Sequence, residues 1–214
     1  MDRKAVANFV KEKLKDERTG HDFYHGERVA KLAEKMYLAD YPAGELADIV
    51  YTAGFVHDVI DEKVTDNPDQ SLQEVLAFLK TQQLSLDELN DIEYTITHMS
   101  YSKNIEHHYE LPLIGKYVQD ADRIESLGAI GIARAFQFGG KHGNLIYDPA
   151  IKPEKLVSYE QYRHHEETTI NHFYEKLFHL EKLMNTTSGR AEAHRRTQFM
   201  HEFVDEFLKE WNVD

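Results

Sequence analysis

The chain has no cysteine among its 214 residues. Disulfides, thiolate nucleophiles and cysteine-ligated zinc are excluded, which leaves histidine and the carboxylates as the strong metal ligands. It has a single tryptophan and five prolines, and no apolar run approaches the ~20 residues needed to cross a bilayer. Positive charge is scarce as well, with 25 Lys and Arg against 38 Asp and Glu and a formal net charge of −13. Duplex nucleic acid is bound largely through phosphate neutralisation, so this deficit argues against it as a partner, whereas a small phosphorylated ligand needs only a few local cations and a metal. The N-terminal stretch MDRKAVANFVKEKLK is amphipathic and charged and lacks the apolar core of a signal peptide. Together these absences point to a cytoplasmic protein without a membrane segment.

Strand-like alternation is hard to find, and what replaces it is helical spacing. Val6, Phe9, Val10 and Leu14 form one apolar stripe; Val29, Leu32, Ala33 and Met36 form a second; Leu46, Ile49, Val50, Ala53 and Val56 form a third. The spacing predicts helices over about 3–16, 22–39, 44–60, 69–82, 86–98, 113–127 and 129–136. YPAGE at 41–45 and NPDQS at 67–71 carry turn and cap signals. Residues 137–157, with three glycines and two prolines, read as a long irregular loop. Two long helices then follow, about 158–185 and 189–211, with Thr187 or Ser188 as the cap of the second. The expectation is an all-α, single-domain protein over 1–214, its core at about 20–136 and its C-terminal helical part at about 158–211.

Thirteen histidines are a generous number, and several stand beside carboxylates. The stretch GFVHDVIDEKV, residues 54–64, sets His57, Asp58, Asp61 and Glu62 at the end of an apolar helix, where an unpaired charge is costly to bury. His21, His25 and Arg28 fall at helical spacing, with His21 at or before the helix start. Adjacent His57 and Asp58 diverge by about 100° around a helix, so they meet one ion only at a junction with other helices. The partners on offer are His25 and either Asp120 or Asp122, the latter on an otherwise apolar face with Val118, Ile124 and Leu127. Two imidazoles and two carboxylates suit Mn²⁺, Fe²⁺, Co²⁺ or Zn²⁺ and leave coordination positions open for water and substrate. Taken singly each residue has an ordinary structural reading: an exposed or hydrogen-bonded histidine, an Asp122–Arg123 ion pair, a solvated helix end at Asp61–Glu62–Lys63. Their co-occurrence on predicted helices is what raises the metal reading above these.

His25, then His57-Asp58, then Asp122 resembles the H…HD…D signature of the HD-domain metal-dependent phosphohydrolases, all-α enzymes acting on phosphate esters and anhydrides. The stretches GHDFYHGERV (20–29), HDVIDEK (57–63), DADRIESLGAIGIARAF (120–136) and MNTTSGRAEAHRRTQFMHEF (184–203) are similar to a bacterial branch that includes manganese-dependent nucleotide pyrophosphohydrolases. The resemblance covers nearly the whole chain. It implies His25, His57, Asp58 and Asp122 as ligands of one divalent ion, with Mn²⁺ favoured and Fe²⁺, Co²⁺, Ni²⁺, Zn²⁺ or Mg²⁺ also compatible. It implies Asp61 as the carboxylate that orients or deprotonates the attacking water, with Glu62 as its acidic neighbour. Such an ion lowers the pKa of water toward neutrality, and a nearby carboxylate takes the proton.

Cations for a phosphate chain are Arg28, Lys63, Arg123, Lys141, Lys176 and Arg190; Lys141 sits in FGGKHGN, where glycines would let backbone approach a phosphate. His98 is a further candidate for a phosphate or water contact, and with His107–His108 it raises the question of a second ion; one ion is the expectation. The expected reaction is hydrolysis of nucleoside triphosphates, ribo or deoxy, to the monophosphate and pyrophosphate. A 5′-nucleotidase-like monoesterase, an alarmone hydrolase and a non-catalytic nucleotide sensor are the alternatives, and retention of Asp61 and Glu62 argues against the sensor.

Overall fold

A computed structural model of the protein describes residues 1–17, 20–104, 108–155 and 168–213. Residues 158–167 of the expected C-terminal helix, and His107, lie outside the described residues. Within them all regular secondary structure is helical, with no strand, so the fold is all-α. Contacts group the chain into two compact units, Met1–Asp122 and Arg123–Asp214.

The first unit contains α1 (Arg3–Lys13), α2 (Phe23–Asp40), α3 (Ala47–Val56), α4 (Pro68–Lys80), α5 (Leu86–His98) and most of α6 (Leu113–Glu125). Their starts are written in the sequence. The Asp2 carboxylate accepts from the Lys4 and Ala5 amides, and Asn67 caps α4 with Pro68 in its first turn. Ser85 and Glu88 form a reciprocal capping box at α5. The apolar stripes meet in a core that includes Val6, Val10, Val29, Ala33, Val50, Ala53, Val75, Leu79, Ile92, Ile114 and Val118, all nearly or fully buried. Each buried Val, Leu or Ile among them contributes about 1.5–3 kcal/mol relative to exposure.

The closest packing joins α2 and α3. A Cβ placed on Gly54 would lie 3.0 Å from the Ala30 Cα, and one on Gly26 would lie 3.2 Å from the Phe55 carbonyl oxygen. These small residues let two backbones come together where larger ones would hold them apart. Gly26 follows His25 and Gly54 precedes His57 by three, so the same close approach sets the two histidines side by side. After α3 the chain tightens into a 3₁₀ turn, His57–Ile60. α6 is held by the Gln119 side-chain amide donating to the Met99 carbonyl at 2.8 Å and by the Tyr117 hydroxyl donating to Asp40 at 2.9 Å.

The second unit contains α7 (Gly128–His142), a helical segment α8 over 169–183, and α9 (Thr187–Trp211). The expected loop 137–157 begins later than its glycines indicate, because α7 runs on through Gly139 and Gly140 to His142. Gly139 is a packing glycine: a Cβ there would lie 2.3 Å from Thr169 Oγ1. Gly143, with φ of 78°, is the left-handed residue that ends the helix. α8 is not one regular helix. An α turn (Thr169–His172) leads into a π turn (Phe173–Leu177), a short α piece (Phe178–Leu180) and a 3₁₀ turn (Glu181–Leu183). The cap of α9 is Thr186, one or two residues before the expected position, and its hydroxyl accepts from the Gly189 amide at 3.0 Å.

Candidate metal centre

Asp22 caps α2, its carboxylate accepting from the His25 amide at 2.8 Å. That fixes the first turn of α2 and turns His25 inward to full burial. Just past the end of α3, His57 Nδ1 donates to the Gly54 carbonyl at 2.8 Å. A carbonyl can only accept, so Nδ1 carries a proton and Nε2 is the nitrogen left to hold either a second proton or a metal ion. Nε2 is buried and makes no hydrogen bond of acceptable geometry. It lies instead 3.1 Å from Asp58 Oδ1 and 3.7 Å from Asp122 Oδ1. His25 Nε2 lies 3.3 Å from Asp58 Oδ2 and 3.4 Å from Asp122 Oδ1, and the two imidazoles meet edge to face at 5.4 Å.

The four residues nominated as ligands therefore converge from α2, the 3₁₀ turn and α6. Between Asp120 and Asp122, it is Asp122 that joins the histidines, while Asp120 is fully buried. A lone pair aimed at two carboxylates is repulsive unless a proton or a cation lies between them, and this is the arrangement a divalent ion fits. His25, His57 and Asp122 offer ligand atoms within 4.8 Å of one another, as do His21, His25 and Asp58.

The protonation pattern follows from the same geometry. Burial opposes charge on His57, but Asp58 and Asp122 outweigh it and hold the imidazole well above its ordinary value. Burial likewise pushes both carboxyls up. His57 and His21 overcome that at Asp58, and His25 and His57 overcome it at Asp122, so both stay well below the usual carboxylate range.

His21 was not nominated as a site residue, yet its Nδ1 lies 2.9 Å from Asp58 Oδ2. The signal for it was the pair His21-Asp22 ahead of His25, since a cap at Asp22 places His21 just outside the helix. Asp61 is half-buried and closes the 3₁₀ turn, and its Oδ1 accepts from the Lys63 amide at 2.8 Å. Glu62 and Lys63 are exposed, and Arg28 is half-buried on α2, one turn beyond His25. His98 is engaged locally: its Nδ1 is 2.9 Å from the Tyr94 carbonyl and its ring stacks on Tyr94 at 4.1 Å. His108 is exposed.

The other cations belong to the second unit. The Arg123 guanidinium is buried and donates to the Leu183 carbonyl at 2.5 Å. Arg190 donates to the Met184 and Asn185 carbonyls, both at 3.2 Å. Lys141 is exposed on the last turn of α7, not in a loop, and Lys176 is half-buried in the π turn of α8.

The chain belongs to the HD-domain family: residues 22–127 match the HD domain, and the all-α fold carries the His…His-Asp…Asp set in one cluster. It is 35% identical over 206 residues to the Bacillus subtilis protein YpgQ, across 96% of this chain and 91% of YpgQ. A solved structure from Lactobacillus plantarum is 42% identical with a TM-score of 0.83, covering 99% of this chain and 97% of that one. An HD-superfamily hydrolase from Bacillus thuringiensis is 35% identical with a TM-score of 0.76, covering 99% and 97%. YpgQ itself has been solved in complex with ADP, with a TM-score of 0.75 to this chain and coverage of 97% and 93%. Among the described residues no helix is long and apolar enough to cross a membrane.

Proposed function

We propose that the protein is a metal-dependent phosphohydrolase that converts nucleoside triphosphates to the monophosphate and pyrophosphate, with His25, His57, Asp58 and Asp122 holding one divalent ion, Mn²⁺ favoured. The observation that carries this reading is the buried His57 Nε2, fixed by the Gly54 carbonyl and facing two carboxylates. Membership of the HD family supports it, and the ADP complex of YpgQ supports a nucleotide as ligand. A divalent ion in this cluster supplies Lewis acidity toward phosphoryl oxygens and lowers the pKa of water.

The chain's own residues do the rest. Gly54 fixes the His57 ring, and the α2–α3 contact fixes the spacing of His25 and His57. Asp61, with Oδ1 held by the Lys63 amide, takes the proton of the attacking water on Oδ2. Arg28 and Lys63, in the same unit as the cluster, neutralise charge on the departing pyrophosphate, the main electrostatic task in such a transfer. Incubating the Mn²⁺-loaded protein with ATP, dGTP, AMP, dAMP and a 3′-pyrophosphorylated nucleotide tests the reading. Pyrophosphate from ATP and dGTP, with little turnover of the monophosphates, is the expected outcome. Orthophosphate from AMP makes it a monoesterase, 3′-pyrophosphate release makes it an alarmone hydrolase, and tight binding without turnover makes it a sensor.

A further inference from the structure

The proposed ligand set leaves His21 without a task, although it reaches the cluster from outside α2. Two features of the backbone place it there. Gly20 adopts φ of 95°, a conformation that residues with a side chain rarely take. Immediately after it, Asp22 locks the helix start through the His25 amide. His21 is therefore pinned between a glycine turn and a helix cap, with its side chain 18% exposed against an Asp58 side chain that is 9% exposed. Its ring meets His25 edge to face at 5.8 Å.

Three histidines approach the two oxygens of Asp58, with His25 Nε2 3.3 Å from Oδ2. Oδ1 lies 3.1 Å from His57 Nε2, and Oδ2 lies 2.9 Å from His21 Nδ1. An ionised carboxylate has no proton to give, so His21 Nδ1 must be the donor. A nitrogen that carries this proton has no lone pair for a metal. We infer that His21 is a positioning residue: its Nδ1–H holds Asp58 Oδ2 and thereby turns Oδ1 toward His57 Nε2, setting the rotation of the carboxylate for the ion that the proposed function requires. The inference rests on that metal reading. Groups that orient a ligand in this way typically change metal affinity by about 10–100-fold when removed.

The test measures Mn²⁺ binding by titration calorimetry for the wild type, His21→Ala, His21→Asn and His57→Ala, with circular dichroism and thermal melts of each metal-free protein as the fold check. The Asn side-chain N–H stands close to where His Nδ1–H stands, so it can restore the donor without restoring an imidazole. The expected result is a His21→Ala protein that binds Mn²⁺ about 10–100-fold more weakly with unchanged stoichiometry, and a His21→Asn protein that recovers most of the loss. If His21→Ala binds as the wild type does while His57→Ala does not, the positioning role is wrong and the metal site stands. If neither substitution matters, the metal reading itself falls. A lower stoichiometry in His21→Ala, or no recovery with Asn in a folded protein, makes His21 a ligand and overturns the assignment.

Discussion

Buried charge is handled in opposite ways in the two units. In the second, Arg196 lies across Glu125, which is only 2% exposed; it approaches the carboxylate at 3.6 Å and donates to the Ile124 carbonyl at 3.1 Å. Glu192 adds a second carboxylate, at 2.8 Å from Arg196 Nε, and the two arginines at 195 and 196, with burial opposing, bring its pKa to about 2. Cations there end on carboxylates and backbone carbonyls. In the first unit the buried His57 Nε2 faces the carboxylates of Asp58 and Asp122, an arrangement that a proton or an ion balances. A pair that closes on itself serves structure; a set of convergent lone pairs is an invitation to a cation.

The sharpest way to break that contrast is to remove a ligand. His57→Ala should abolish stoichiometric Mn²⁺ binding, read by elemental analysis after dialysis, while leaving the helical content intact; retained metal would put the site elsewhere. Next comes Asp61→Ala, which should keep the metal and lose about 10²–10⁴-fold in turnover, the usual contribution of a general base. Loss of metal in that variant would make Asp61 a ligand. In the other unit, Arg196→Ala should cost about 1–3 kcal/mol in urea unfolding, because it removes a cation beside the buried Glu125 and the donor to the Ile124 carbonyl, and should leave Mn²⁺ content untouched. A neutral effect on stability would show that the pair contributes little.

The smallest effect expected is on pH dependence. His57 is held above its ordinary value in the metal-free fold, so its stabilisation is complete below the unfolded value of about 6.5 and is lost as pH rises through the raised folded value. Asp58 and Asp122 act in the opposite sense: their contribution is present above the ordinary carboxylate range and lost as pH falls through their lowered values. Metal binding displaces the His57 proton and is favoured by high pH. The Mn²⁺-induced gain in melting temperature should therefore grow from about pH 6 to 8, on the way up to the raised folded value of His57. A gain that is flat over that interval would mean that no ligand proton is displaced.

The helices of the first unit were legible because their apolar residues repeat at helical spacing and their caps are strong. His57 and Asp58 were legible because charge at the end of an apolar helix demands a reason. Asp122 could not be separated from Asp120 by spacing, since both lie on α6 and only the packing of that helix decides which one faces His25 and His57; the family resemblance chose it. His21 escaped because its contact with Asp58 joins residues 37 apart in sequence. Gly139 and Gly140 read as loop residues, but the backbone of α7 needs the first of them for the approach of Thr169. The regular helix expected before 185 is interrupted by a π turn at Phe173–Leu177, which apolar spacing does not announce. Arg123, a candidate phosphate contact beside a proposed ligand, also donates to the Leu183 carbonyl, an interaction between residues 60 apart that sequence alone does not reveal.

The central claim is that one divalent ion is held by residues of α2, the His57–Ile60 turn and α6. Its most direct test is a crystal structure of the Mn²⁺-loaded protein with anomalous data collected near the manganese edge. A single anomalous peak bounded by His25 Nε2, His57 Nε2, Asp58 and Asp122 is the predicted result. A peak held by other residues, or a fully ordered cluster with no peak at saturating Mn²⁺, would contradict it.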